Sequence, residues 1–166
     1  MLKKLFGKKK EAPTSINVHS PLTGRLLDLE EVPDPVFSQK MMGDGIAVEP
    51  SEGKVISPVN GEIIQVFPTK HAVGIKAENG AELLIHIGLE TVSMNGEGFE
   101  AHVSEGKKVK VGDPLVTFDI NLVKEKAKST ITPVIITNGD DFEAIEKAET
   151  GDVTAGESQV MTVSAK

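Results

Sequence analysis

The sequence predicts an all-β protein, a compact sandwich or barrel carrying one short helix. Apolar runs are short and recur along the chain, separated by Gly, Pro and Asn. A corner motif occurs twice, as Ser20-Pro21-Leu22-Thr23-Gly24 and as Ser57-Pro58-Val59-Asn60-Gly61, each placing a proline turn and a glycine before an apolar run. Asn79-Gly80 lies between two β-patterned runs, the strongest short-range sign of a hairpin.

The first ten residues hold five Lys and no acid, and Glu11-Ala12-Pro13-Thr14 reads as a linker. Residues 1–14 are therefore expected to form a basic flexible tail, with 15–166 as one domain. In the tail, Leu2, Leu5 and Phe6 could share a helical face beside Lys3, Lys4 and Lys8, which would give a weak membrane-surface contact through residues 1–10. From Val18 onward the pattern is β. Strands are expected over 25–29, 46–49, 54–56, 62–67, 72–76 and 82–87, and later over 107–111, 115–118, 134–137 and 159–163. The one expected helix spans 122–128, with Asn121 as its cap and Pro133 preventing a long continuation. The two corner motifs fit related hairpin corners of a sandwich, and the period does not continue as a solenoid would.

Composition excludes several classes of function. Aromatic residues are 4%, with no Trp or Tyr, which argues against a stacking platform for single-stranded nucleic acid. The net charge is −7, and it falls to −12 once the basic first ten residues are set aside. A broad phosphate-binding face is not expected on such a chain. With no Cys, thiol nucleophiles, disulfides and iron–sulfur clusters are out of reach, and a reducing cytoplasm is the expected location. No apolar run approaches the roughly 18 residues of a membrane helix, and the start lacks the apolar stretch of a secretory signal.

Histidine is then the candidate for chemistry near neutral pH, and there are four: His19, His71, His86 and His102. If Asn79-Gly80 is a two-residue turn, Glu78 faces Ala81, Val73 faces His86 and His71 faces Gly88. That register puts His71 and His86 on one face as diagonal neighbours, with Cβ atoms about 7–8 Å apart or less. Phe67 and Thr69 continue this face on one strand and Leu84 on the other. A backbone carbonyl freed at Gly88 could bond one ring nitrogen, fix the tautomer and leave the other nitrogen nucleophilic. The same pair could instead simply fill a β face, or hold zinc with a third ligand from Glu90 or Asp119, although no His-x-His or His-Glu-x-x-His motif is present. Met42-Gly43-Asp44-Gly45 lacks the Lys-Ser/Thr ending of a phosphate loop and reads as a turn.

These residues also carry a family resemblance. Phe67-Pro68-Thr69-Lys70-His71-Ala72 followed by Leu83-Leu84-Ile85-His86-Ile87-Gly88 resembles the active-site segments of glucose-class enzyme IIA components of the bacterial phosphoenolpyruvate:sugar phosphotransferase system. Val36-Phe37, Met42-Gly43-Asp44-Gly45, Gly96-Glu97-Gly98-Phe99, Val109-Lys110-Val111-Gly112-Asp113 and Lys126-Ala127-Lys128-Ser129 extend the likeness over the chain from Ser15 onward. The resemblance implies an antiparallel β sandwich of the duplicated-hairpin, barrel-sandwich type. It implies that His86 is the phosphoryl acceptor, that His71 orients or stabilises the phosphate, and that Thr69 supports His71. Phe37, Phe67 and Leu84 would form an apolar rim where partners dock, joined by the acidic Asp34 and Glu90, the latter standing where relatives often carry Asp. The implied partners are HPr as phosphoryl donor and the cysteine of a IIB domain of a sugar permease as acceptor. No cofactor is expected, and zinc on His71 and His86 would be adventitious.

Two rival classes share some sequence features. Ser104-Glu105-Gly106-Lys107-Lys108-Val109-Lys110-Val111-Gly112-Asp113-Pro114-Leu115 resembles a hairpin of lipoyl or biotinyl carrier domains, but no carrier lysine stands in the required context. A zinc hydrolase on a related β scaffold is the other.

Overall fold

The computed structural model describes residues 13–166. The expected tail and its surface helix over 1–10 lie outside the described residues, apart from Pro13 and Thr14. The Thr14 carbonyl accepts from the Ala165 N–H at 2.6 Å.

The strands are β1 (Ser15–His19), β2 (Gly24–Asp28), β3 (Asp44–Pro50), β4 (Lys54–Ile56), β5 (Gly61–Val66), β6 (Ala72–Ala77) and β7 (Glu82–His86). They continue as β8 (Phe99–Ala101), β9 (Lys108–Val109), β10 (Pro114–Phe118), β11 (Thr132–Ile136), β12 (Phe142–Lys147), β13 (Gly151–Val153) and β14 (Gln159–Ala165). Two short α-helices, α1 (Pro35–Ser38) and α2 (Ile120–Lys126), interrupt them. All pairings are antiparallel. One eight-stranded sheet runs β13-β2-β3-β11-β7-β6-β5-β9, and two three-stranded sheets run β1-β14-β12 and β4-β10-β8.

This order is a palindrome in kind. β2 and β5, β3 and β6, β11 and β7, and β13 and β9 stand at matching places about the centre of the large sheet, and the two small sheets match likewise. The corner motifs are the equivalent points. Ser20 Oγ donates to the Leu22 carbonyl at 2.6 Å and Ser57 Oγ to the Val59 carbonyl at 2.7 Å. The corners also clasp each other, His19 N–H to the Pro58 carbonyl at 2.9 Å and Ile56 N–H to the Pro21 carbonyl at 3.0 Å. Both motif glycines abut a neighbouring strand: a Cβ would lie 2.1 Å from the Glu49 carbonyl oxygen at Gly24 and 2.2 Å from that of Lys76 at Gly61. The second half, β4 to β10, is continuous in sequence and is inserted into the first, which comprises β1–β3 and β11–β14.

The central strands are buried on both faces and so read as unbroken apolar runs. Odd positions of β6 and β7 (Val73, Ile75, Leu83, Ile85) and even positions of β3 and β11 (Ile46, Val48, Val134, Ile136) face the main core. Ala47, Ala72, Leu84 and Ile135 face the other way, into a second cluster closed by Leu29, Val32 and Phe37. The covering segment is tied down by Lys40, which pairs with Glu30 at 3.1 Å and Asp44 at 3.5 Å, while Lys147 reaches Asp44 at 2.6 Å.

Several elements differ from expectation. α2 begins two residues early because Asp119, not Asn121, accepts the Leu122 N–H at 3.1 Å. It ends at Lys126 because the Lys128 N–H and Ser129 carbonyl are bonded to Leu89. α1 was not foreseen: it is too short for periodicity, yet Asp34 caps it through Val36 N–H at 3.0 Å and Pro35 takes its first position. β12 was also missed, since its Phe-Glu-Ala-Ile-Glu-Lys pattern is that of a charged edge strand paired on one side only.

The β6–β7 register is one residue away from the expected one. Ala72, not Val73, lies opposite His86. Asn79-Gly80 is not a two-residue turn: Gly80 alone takes a positive φ, of 91°. The Gly80 N–H bonds the Ala77 carbonyl at 3.0 Å and the Ala77 N–H bonds Ala81 at 2.8 Å, a three-residue loop with a left-handed last residue. Asn79 is otherwise engaged, accepting from Ala81 N–H at 3.2 Å and donating to the Val163 carbonyl at 3.1 Å.

Candidate active site

His86 ends β7 on the face of the second cluster, where Phe37 from α1 packs against its ring at a centroid distance of 5.0 Å. Its Nδ1 lies 2.8 Å from the Gly88 carbonyl oxygen. A carbonyl can only accept, so Nδ1 carries the proton and Nε2 keeps a free lone pair. Gly88 is required for this. Its φ is +74°, and a Cβ there would meet Thr91 Cγ2 at 2.7 Å and the Ser129 carbonyl oxygen at 2.9 Å. The turn is fixed from outside by Leu89 N–H to Ser129 at 2.9 Å and by Thr91 Oγ1 to the Ile87 carbonyl at 2.6 Å.

His71 lies in the turn between β5 and β6, with its ring centroid 4.9 Å from that of His86 and the rings edge to face. Its Nδ1 is 2.5 Å from Thr69 Oγ1. Phe67 covers it edge-on at 5.6 Å, and only 4% of the residue is exposed. The pair thus meets although the register separates their faces. His71 stands opposite Ile87, a core residue, through the Ile87 N–H to His71 carbonyl bond of 2.7 Å.

Both imidazoles are held neutral. Burial, reinforced by repulsion from His86, lowers the pKa of His71 to about 4. Burial also lowers that of His86, opposed by the Gly88 carbonyl and by the charge of Asp34. At neutral pH the site therefore presents an uncharged imidazole with a directed lone pair beside a second neutral imidazole, the arrangement of a nucleophile and a hydrogen-bonding helper. Among the described residues no group of three or more His, Cys, Asp or Glu gathers as a metal site, so neither Glu90 nor Asp119 completes a third ligand to the pair.

The apolar rim needs correction. Phe37 and Leu84 are 5% and 7% exposed, forming the floor rather than the surface, because α1 folds down over the sheet and pins them. Phe67 is half-buried. Val36, beside Phe37 in α1, and Val92, in the 3₁₀ turn after Glu90, are exposed apolar side chains at 39% and 55% exposure. The Asp34-Pro35 start was the signal that would have put Val36 outward. Glu90 is exposed in a left-handed conformation, and its carbonyl accepts from Ser93 Oγ at 3.0 Å.

Two neutral histidines thus meet edge to face beside a double-sided β sheet. Residues 16–142 match the family described as phosphoenolpyruvate-dependent sugar phosphotransferase system, EIIA 1. The chain belongs to that family, whose members are phosphocarriers in sugar uptake. It is 59% identical over 169 residues to the PTS system glucose-specific EIIA component of Halalkalibacterium halodurans, covering 98% of each chain. It is 58% identical over 166 residues to the protein of that name in Bacillus anthracis, covering 100% of both. The glucose permease IIA from Mycoplasma capricolum has the same fold, with a TM-score of 0.82 and 38% identity over 93% of this chain and 99% of that one. The relatives support the phosphocarrier and not the lipoyl carrier or the zinc hydrolase.

Proposed function

We propose that His86 is the acceptor in a two-step phosphoryl relay, from the phosphohistidine of HPr to the cysteine of a IIB domain of a sugar permease. The bond from His86 Nδ1–H to the Gly88 carbonyl carries this reading, since it keeps the proton on Nδ1 and leaves the lone pair on Nε2. In the first step Nε2 attacks the phosphorus, the donor's P–N bond breaks, and its electron pair returns to the donor ring. In the second, a cysteine thiolate attacks the phosphorus and the Nε2–P bond breaks, returning the pair to His86. Nδ1–H stays bonded to Gly88 throughout.

His71 stabilises the phosphoryl oxygens by donating from its own Nε2–H. That requires its Nδ1 to be an acceptor, which the Thr69 hydroxyl supplies by donating. A donor that is neutral in the resting state strengthens its bond as negative charge shifts in transfer. Because each partner must bring its own side chain to the phosphorus, the site is shallow. Val36, Val92 and Phe67 form the dry contact surface, Phe37 and Leu84 support it, and Asp34 and Glu90 are the acidic rim that steers a basic partner face. Among the described residues no helix is long and apolar enough to cross a membrane, and a cytoplasmic relay serving a membrane permease fits this chain.

The test is incubation with phosphoenolpyruvate, enzyme I and HPr, followed by phosphosite mapping. An acid-labile phosphate on His86 is expected, absent in His86→Ala; His71→Gln is expected to accept phosphate and pass it on slowly. Normal labelling of His86→Ala would overturn the assignment.

A further inference from the structure

The β6–β7 register sends odd residues of β6 into the main core, and His71 is an odd residue next to its start. Continued alternation would point its side chain toward the core side with Val73, away from His86. The chain breaks alternation one residue earlier. Lys70 has φ +63° in a turn whose other bonds are Lys70 N–H to the Phe67 carbonyl at 2.7 Å and Phe67 N–H to the Ala72 carbonyl at 3.1 Å. Pro68 supplies the fixed φ suited to the second position of that turn. The loop at the other end of β6 closes Ala77 on Ala81 with Gly80 as its left-handed residue, whereas this turn closes Phe67 on Ala72 and so holds one residue more, His71, directly after the left-handed Lys70. A side chain with a Cβ adopts this conformation only at a cost, and the Lys70 side chain itself is exposed.

We infer that Lys70 is a positioning residue whose left-handed backbone turns His71 out of the strand's alternation and onto the face of His86. The role belongs to the backbone, not to the ammonium group. It rests on the relay reading for its functional consequence, while its geometric part does not.

The inference separates residues by their tolerance of the left-handed region, so four variants test it: Lys70→Gly and Lys70→Asn, which tolerate it, and Lys70→Thr and Lys70→Ile, which are β-branched and do not. His71 is followed by NMR titration in each, and transfer to and from His86 is measured separately. The Gly and Asn variants are expected to keep the low His71 pKa and both transfer rates. In the Thr and Ile variants His71 should titrate closer to the ordinary value of about 6.5. Onward transfer should drop by about 10- to 100-fold, while acceptance on His86 persists and shows that the domain is folded. An unchanged His71 titration in both β-branched variants overturns the inference. So does loss of onward transfer in the Asn and Gly variants, which would assign the role to the charge. Should the wild-type chain take no phosphate on His86, the relay reading fails while the titrations still decide the role of Lys70.

Discussion

At Gly88 a single hydrogen atom decides the chemistry of a neighbour. Any larger side chain would collide with Thr91 and Ser129, and relief of that collision swings the carbonyl that holds His86 Nδ1. Gly88→Ala is expected to cost about 1–3 kcal/mol of stability. It should also slow phosphorylation of His86 by about tenfold, as the ring samples both tautomers. Nitrogen chemical shifts of His86 report the tautomer directly, and an unaltered Nδ1–H form in the variant would refute the link. His71 leaves a different trace, in stability against pH. Its folded pKa of about 4 lies below the unfolded value of 6.5, so between these values the unfolded chain binds a proton that the folded chain refuses. Stability is full above the unfolded pKa and is lost as pH falls toward 4, by up to about 3 kcal/mol. His71→Gln should flatten that slope in urea melts taken between these limits, and a slope equal to that of the native chain would count against burial as the cause. The two histidines could be found from the sequence because they flank an Asn-Gly step. The reason they meet could not, because the three-residue loop at Asn79-Gly80 shifts the register by one and the pair meets instead through the turn that precedes β6.

Among the elements, the strands with apolar runs are legible in the sequence, as are the edges β4 and β9, while β1, β8, β12 and β13 are not. β3, β5, β6, β7 and β11 are long stretches of Val, Ile, Leu and Ala, whereas β8, β12 and β13 owe their pairing to neighbours rather than to their own composition. α1 illustrates the same limit, since its four residues exist through a cap, a proline and the burial of Phe37. Its cap has two tasks. Asp34 holds Val36 N–H and places a negative charge near His86. Asp34→Lys is therefore expected to lose about 1 kcal/mol of stability with the cap and to slow association with phospho-HPr, most strongly at low ionic strength. Stopped-flow association rates at two salt concentrations check this, and equal slowing at both would indicate lost docking geometry rather than lost steering.

For the molecule as a whole, the twice-used Ser-Pro-x-x-Gly corner was the visible part of a larger duplication. The corner keeps its sequence because a buried serine and a close backbone approach restrict the residues there. The insertion of one half into the other has a topological corollary. β1 and β14 are paired from Ser15 opposite Ser164 onward, so the two ends of the domain are adjacent. A circular permutant that joins them through a short linker and opens the exposed turn between Ser51 and Glu52 would make both halves contiguous, β4 to β10 first and then β11 through β14 to β1–β3. Its mean sequence separation between contacting residues falls, so it should refold faster than the native order while keeping the histidine pair intact. Stopped-flow refolding and phosphate acceptance of the permutant measure the two claims separately. Slower refolding with normal acceptance would mean that chain order, unlike the duplicated architecture, does not limit how this domain reaches its fold.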